Sequence, residues 1–234
     1  TKKYFDGNYC SKKSDLSLNR ILKVLPKIIP VEGRSEKVGR IKNNSKVILD
    51  YAHTPEALKT CLLNLRDQFK YKKISLLFGC GGNRDQNKRS KMGRIASKYS
   101  DKIYLTDDNP RYEDPNKIRE DIKKGINNRK IIEISDRSKA IYKAIKDLNS
   151  GEILLIAGKG HEKKQDLGDK KIYFSDKKVI LNSIRKKNLN LSNNLKFNIL
   201  RELSPNKRLP KNLSLNLARI NSQEVKQNDF FFCN

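Results

Sequence analysis

No run of this 234-residue sequence approaches the ~20 consecutive apolar residues that a membrane-spanning helix needs, so a helical membrane protein is excluded. Behind Thr1, Lys2, Lys3 and Tyr4 there is no apolar stretch of signal-peptide type, which points to the cytoplasm and away from a membrane. The four cysteines (Cys10, Cys61, Cys80 and Cys233) lie far apart, without CxxC or Cys/His ligand spacing. Neither a zinc site nor a disulfide framework is indicated, and free thiols in a reducing compartment are expected. Acidic residues are scarce: 26 against 52 lysines and arginines, for a net charge of +26. Such a charge attracts phosphates. Here the lysines are spread along the whole chain, and no strand alternates basic and aromatic residues as an RNA-reading sheet would. The bias therefore reads as a general lysine enrichment with some benefit for anionic substrates, and no nucleic-acid partner is expected.

Hydrophobic residues make up 36%, enough for one packed core because they cluster. Short apolar runs at 47–49, 74–78 and 153–156 alternate with amphipathic stretches. Strands are expected over 46–50, 73–78, 102–106, 130–134 and 152–157. Helices are expected over 55–69, 89–99, 115–127, 137–148 and 176–187, and an antiparallel edge strand over 169–174. In the first helix Leu58, Cys61, Leu62 and Leu65 share a face, Pro55 suits the first turn and Thr54 the cap. Alternation of this kind predicts an α/β, Rossmann-like, mostly parallel sheet flanked by helices. Ligands bind such sheets at the carboxyl ends of the strands. Polar clusters fall at four of those ends: residues 50–53, 79–84, 107–111 and 158–162. They form one rim, and the rim is the expected site.

Five segments stand along this rim in order: Val31-Glu32-Gly33-Arg34-Ser35-Glu36, Asp50-Tyr51-Ala52-His53-Thr54-Pro55, Gly79-Cys80-Gly81-Gly82-Asn83-Arg84-Asp85, Asp108-Asn109-Pro110-Arg111 and Ala157-Gly158-Lys159-Gly160-His161-Glu162. In order and spacing they resemble the Mur ligases, and among these the MurE branch, over residues 24–186. The resemblance implies the carboxy-terminal, amino-acid-selecting domain of an ATP-dependent ligase. Such a ligase adds the third amino acid to UDP-N-acetylmuramoyl-L-alanyl-D-glutamate in cell-wall synthesis.

By that resemblance the acceptor is meso-diaminopimelate, held by Arg84, Asp108, Asn109, Pro110, Arg111, Gly158 and Glu162. Arg111 takes the distal carboxylate, and a guanidinium suits two carboxylate oxygens. Glu162 and the Gly158 carbonyl receive the ammonium, Arg84 holds the other carboxylate, and Asn109 orients the ligand. L-lysine lacks the distal carboxylate and would leave Arg111 without a partner, so it is the lesser candidate. Arg34, Asp50 and His53 resemble residues that reach the nucleotide. His53 has a second reading, as a cap of the helix beginning at Pro55. His161 reads as structural, since the mechanism implied by the family needs no histidine nucleophile.

Residues 158–160 suggest a phosphate loop only superficially, being too short and lacking its Ser/Thr. No G-x-x-x-x-G-K-[ST] occurs anywhere. The central ATPase domain of a Mur ligase, with its ATP and Mg2+ site, is thus expected to lie outside this chain. Residues 1–20 are expected to be a linker or a remnant of that domain, 21–188 the carboxy-terminal domain, and 189–212 a linker with partial helix. Residues 213–234 resemble the start of a MurF-type ligase, with Asn221 and Gln223 in place of the usual Asp and Arg. They end on an apolar strand at 230–232 with nothing after it to pair with. The tail reads equally as an ordinary amphipathic terminal strand or as the start of a MurF partner, which would make the chain a fragment of a MurE–MurF fusion; a monomer inactive alone is expected. A lysine-adding ligase, a folylpolyglutamate synthase relative and a basic nucleic-acid-binding module are the alternatives.

Overall fold

The computed structural model describes residues 31–127 and 131–203, a few isolated positions before them, and two short strands after them. The strands are β1 (Glu36–Lys37), β2 (Lys46–Asp50), β3 (Ile74–Phe78), β4 (Lys102–Leu105), β5 (Ile131–Glu133) and β6 (Ile153–Ala157). They form one sheet in the order β1-β2-β6-β3-β4-β5, in which β2 to β5 and β6 run parallel and β1 pairs antiparallel with β2. The core strands are apolar on both faces, as expected of a sheet covered on both sides. β3 and β6 are buried at every position.

Helices α1 (Pro55–Gln68), α2 (Asn87–Tyr99) and α3 (Pro115–Lys123) cover one face. There Leu58, Leu62, Met92, Ala96 and Ile122 pack on Ile48, Leu76, Phe78, Leu105 and Leu155. Helices α4 (Arg137–Asp147) and α5 (Asp176–Leu203) cover the other. On that side Ile141, Ile145, Ile180 and Ile184 pack on Val47, Leu49, Leu77 and Ile156. Alternate strand residues therefore feed opposite cores. Each fully buried leucine or isoleucine contributes about 1.5–3 kcal/mol.

Local chemistry sets the helix starts. The Thr54 hydroxyl accepts from Ala57 N (3.3 Å), with Pro55 in the first turn. Asp114 accepts from Asn116 N (2.9 Å) before α3, and Asp136 accepts from Lys139 N (2.9 Å) before α4. His53 does not cap α1. Its ring Nδ1 lies 3.1 Å from Tyr51 O, while Thr54 supplies the cap.

Two expectations are corrected. The segment expected as an edge strand over 169–174 does not join the main sheet. Its strand β8 (Lys171–Tyr173) pairs antiparallel with β7 (Lys164–Asp166), forming a separate ribbon closed by Leu167 N donating to Lys170 O at 2.8 Å. Lys171, Ile172 and Tyr173 are all exposed, so no second face was available to dock on the sheet. The closing helix also continues past Lys187 to Leu203, into the expected linker. Further on, Phe230–Phe231 pairs in parallel with the earlier segment Ala218–Arg219, so it does find a partner. The MurF-like reading of 213–234 otherwise lies outside the described residues, as do residues 1–16, Cys10 and Cys233.

Candidate functional site

The carboxyl ends of β2, β3, β4 and β6 open into one cleft of about 550 Å³. Tyr51, His53 and Thr54 line it from β2, Gly79, Cys80, Gly81 and Arg84 from β3, Asp108, Asn109 and Arg111 from β4, and Gly158 and Glu162 from β6. Lys88 and Lys91 of α2 close the rim. Six of the seven residues expected to hold the acceptor are thus brought together. The seventh, Pro110, is buried behind the wall and shapes the turn, its carbonyl accepting from Glu113 N at 3.1 Å.

The wall is stitched crosswise. Gly82 N donates to Asn109 O (2.9 Å), and Arg111 Nη1 donates to Gly82 O (2.7 Å). A Cβ on Gly82 would stand 1.9 Å from Pro110 O, so only glycine admits this approach. The β7–β8 ribbon backs the same segment. Gln165 Nε2 donates to Asp108 O (2.6 Å), Asp166 N to Asn109 Oδ1 (3.0 Å), and Arg111 N to Asp166 O (3.1 Å). Arg111 sits at φ 52, a left-handed conformation rare for arginine, and these bonds hold it there. Its Nε lies 3.8 Å from the Asp166 carboxylate, and its Nη2 has no partner among the described residues. Arg84, exposed on the opposite lip, has none either.

Below the arginines the floor turns acidic. Asp108 is almost buried, and burial pushes its carboxyl above the ordinary range. Gly158, at φ 113, lets its backbone approach, for a Cβ there would stand 2.6 Å from Asp108 Oδ2. Burial also works against ionisation of Glu162, but hydrogen bonds from Asn109 Nδ2 (3.0 Å) and Lys159 Nζ (3.0 Å) outweigh it and hold the carboxyl below its usual value. Lys159 is 0% exposed and donates also to Asn109 Oδ1 (2.8 Å). Sequence reasoning passed it over, because its Gly-Lys-Gly setting resembles a failed phosphate loop. The available signal was a lone lysine two residues past a strand of five apolar residues.

The residues expected to reach a nucleotide lie apart from this floor. Asp50 does not line the cleft. Its Oδ2 accepts from Ser35 N (2.6 Å) and Ser35 Oγ (3.1 Å), and its Oδ1 from Ala52 N (2.7 Å). It pins the 33–36 turn to the end of β2. Arg34 is exposed and stacks over the Tyr51 ring at 4.5 Å. The rings of His53 and His161 stand 4.6 and 5.4 Å from that of Tyr51, giving an aromatic shelf beside the cleft. The cleft's one thiol, Cys80, is pushed up to about 12 by burial, as is Cys61 on α1, so neither is a ready nucleophile.

These features define a doubly wound α/β domain with a polar cleft at the carboxyl ends of its strands. Its cleft sets Arg84 and Arg111, each with donors unpaired among the described residues, above a carboxylate floor. The family model for the Mur ligase, glutamate ligase domain, matches residues 33–160, more than half of the chain, and the chain belongs to that family.

Among similar proteins is UDP-N-acetylmuramoyl-L-alanyl-D-glutamate--2,6-diaminopimelate ligase of Rickettsia felis. It is 45% identical over 163 residues, 69% of this chain and 30% of that one. The ligase of the same name from Buchnera aphidicola subsp. Acyrthosiphon pisum is 46% identical over 178 residues, 76% of this chain and 35% of that one. A solved structure bearing that name superimposes with a TM-score of 0.63 at 33% identity, over 76% of this chain and 37% of the other. The chain spans about a third of the length of the curated relatives it matches.

Proposed function

We propose that this chain is the acceptor-binding domain of an ATP-dependent ligase that joins meso-diaminopimelate to UDP-N-acetylmuramoyl-L-alanyl-D-glutamate. The observation that carries it is the gathering of Arg84, Asp108, Asn109, Arg111, Gly158 and Glu162 around one cleft. Diaminopimelate carries an ammonium and a carboxylate at each end. In the proposed pose Arg111 takes the distal carboxylate through its free Nη2, and Glu162 takes the ammonium beside it. Arg84 takes the carboxylate of the reacting end. The reacting amine then points out of the cleft, where an activated D-glutamyl carboxyl would be presented.

ATP, when bound, supplies the phosphoryl group that activates that carboxyl. The work of this chain's own residues is to bind, orient and hold the amine still, and proximity of this sort is worth a large share of the rate. Of the residues expected at the nucleotide, Arg34 is exposed over Tyr51 and His53 is exposed on the cleft lining, and both fit that role, with Tyr51 as a stacking surface. Asp50 fits it poorly, because its carboxylate is already engaged by Ser35 and Ala52. Among the described residues no group of three or more His, Cys, Asp or Glu side chains is placed to hold a metal ion. In this proposal Mg2+ arrives with ATP on a domain of the Mur type that carries the phosphate loop.

Calorimetric titration of the chain with meso-diaminopimelate and with L-lysine tests the reading. Saturable binding of diaminopimelate, at least tenfold tighter than lysine and lost in Arg111→Ala, is expected. Tighter binding of lysine would sink the diaminopimelate assignment.

A further inference from the structure

The acceptor floor contains a cation that the proposed function leaves idle. Lys159 lies at the bottom of the cleft wall, fully buried, within hydrogen-bond reach of two of the expected acceptor ligands. Both the Lys159 ammonium and the Asn109 amide converge on one oxygen of Glu162, Oε2, at 3.0 Å each. The other, Oε1, has no hydrogen bond among the described residues, and Glu162 lines the cleft. The carboxylate is thus gripped from behind with one oxygen left over.

The surrounding charges give this grip a purpose. Three carboxyls (Asp108, Glu162 and Asp176) face two cations, Lys159 and Arg137, across the floor. Arg137 and Asp176 are 0% exposed and form a two-pronged pair, at 2.8 and 2.7 Å. Lys159 Nζ stands 3.9 Å from Asp108 Oδ1. Arg111 lines the same cleft, and its charge also favours the ionised Glu162. Glu162 lines the cleft with Oε2 engaged from behind, and its open oxygen is where a ligand's ammonium would bind.

We propose that Lys159 is a positioning residue of the acceptor subsite, fixing Glu162 and Asn109 so that one Glu162 oxygen is presented to the incoming ammonium. This rests on the reading of the cleft as an acceptor site. Without Lys159, Glu162 keeps only the Asn109 amide, loses its neighbouring cation and gains freedom to turn or to protonate. Lysine is suited to the task because its point charge serves Asn109 and Glu162 together from a space closed to water.

The experiment is a carbon-detected NMR titration of the Glu162 carboxyl in the 234-residue chain, followed by calorimetry with meso-diaminopimelate across pH. In the native chain the Glu162 carboxyl should titrate below its ordinary 4.5. In Lys159→Met the midpoint should rise, and acceptor binding should weaken roughly tenfold to a hundredfold, the effect of one charge-assisted hydrogen bond. The acid limit of binding should move to higher pH by the same interval as the carboxyl midpoint. A merely structural lysine would not produce that matched displacement. A native midpoint at or above 4.5, or a midpoint unchanged in Lys159→Met, overturns the proposal, and the first readout needs no variant to fold. Should the native chain bind no diaminopimelate while Glu162 titrates as expected, the acceptor reading falls and the Lys159–Glu162 contact stands.

Discussion

At the scale of single residues, the cleft separates groups that hold the site together from groups left free to act. Asp50, Pro110 and Lys159 spend their polar atoms inside the protein, whereas Arg84, Arg111 Nη2 and Glu162 Oε1 do not. Sequence reasoning placed the free ones on the rim, because they are charged residues standing just past apolar strands. It did not foresee the bond of Asp50 to Ser35, which lies fifteen positions earlier and is invisible without the turn that returns it. It missed Lys159 because burial of a lysine depends on what surrounds it in space. The Arg137–Asp176 pair beneath the floor is the strongest test at this scale. Arg137 Nη1 is buried without a partner among the described residues, so the pair is imperfectly compensated even when intact. Arg137→Met should destabilise the domain by about 3–5 kcal/mol, since it strands a buried aspartate. Adding Asp176→Leu should recover most of that loss, as read from the urea midpoint at constant slope.

At the scale of elements, nearly every strand and helix was legible, because hydrophobic period and helix caps are local signals. The two departures have different causes. Segment 169–174 has the alternation of a strand, but which strand it pairs with is a tertiary choice, and the chain of Gln165, Asp166 and Arg111 contacts makes that choice. α5 outruns its expected end because no glycine or proline stops it in sequence. At the opposite end of the sheet from the cleft, α4 is tied to β4 by Asp147, which accepts from Lys102 Nζ (2.9 Å), Tyr104 OH (2.8 Å) and Lys143 Nζ (2.6 Å). Burial opposes its ionisation, yet these donors hold its carboxyl at about 2. A carboxyl depressed in the folded state stabilises the fold above its unfolded value and loses that contribution as pH falls through the folded one. Acid unfolding should therefore show a loss between the ordinary 3.8 and about 2 that is absent from Asp147→Asn, measured by circular dichroism against pH.

At the scale of the whole molecule, the sheet order explains why four distant segments meet. The chain walks outward through β3, β4 and β5, then returns over the other face to insert β6 between β2 and β3. That return places residues 158–162 against 79–84 and 108–111, and no local pattern in the sequence specifies it. The net charge of +26 finds a use here in Arg84, Lys88, Lys91 and Arg111, which ring a cleft proposed for a ligand with two carboxylates. No helix of the described residues is long and apolar enough to cross a membrane. The central claim is that this one cleft, and no other surface, takes the acceptor. Amide NMR spectra of the chain recorded during addition of meso-diaminopimelate test it directly. Saturating shifts concentrated in residues 79–84, 108–111 and 158–162, with the groove between α4 and α5 unmoved, are the predicted result; shifts centred on Tyr142 and Ser183 in that groove would contradict it.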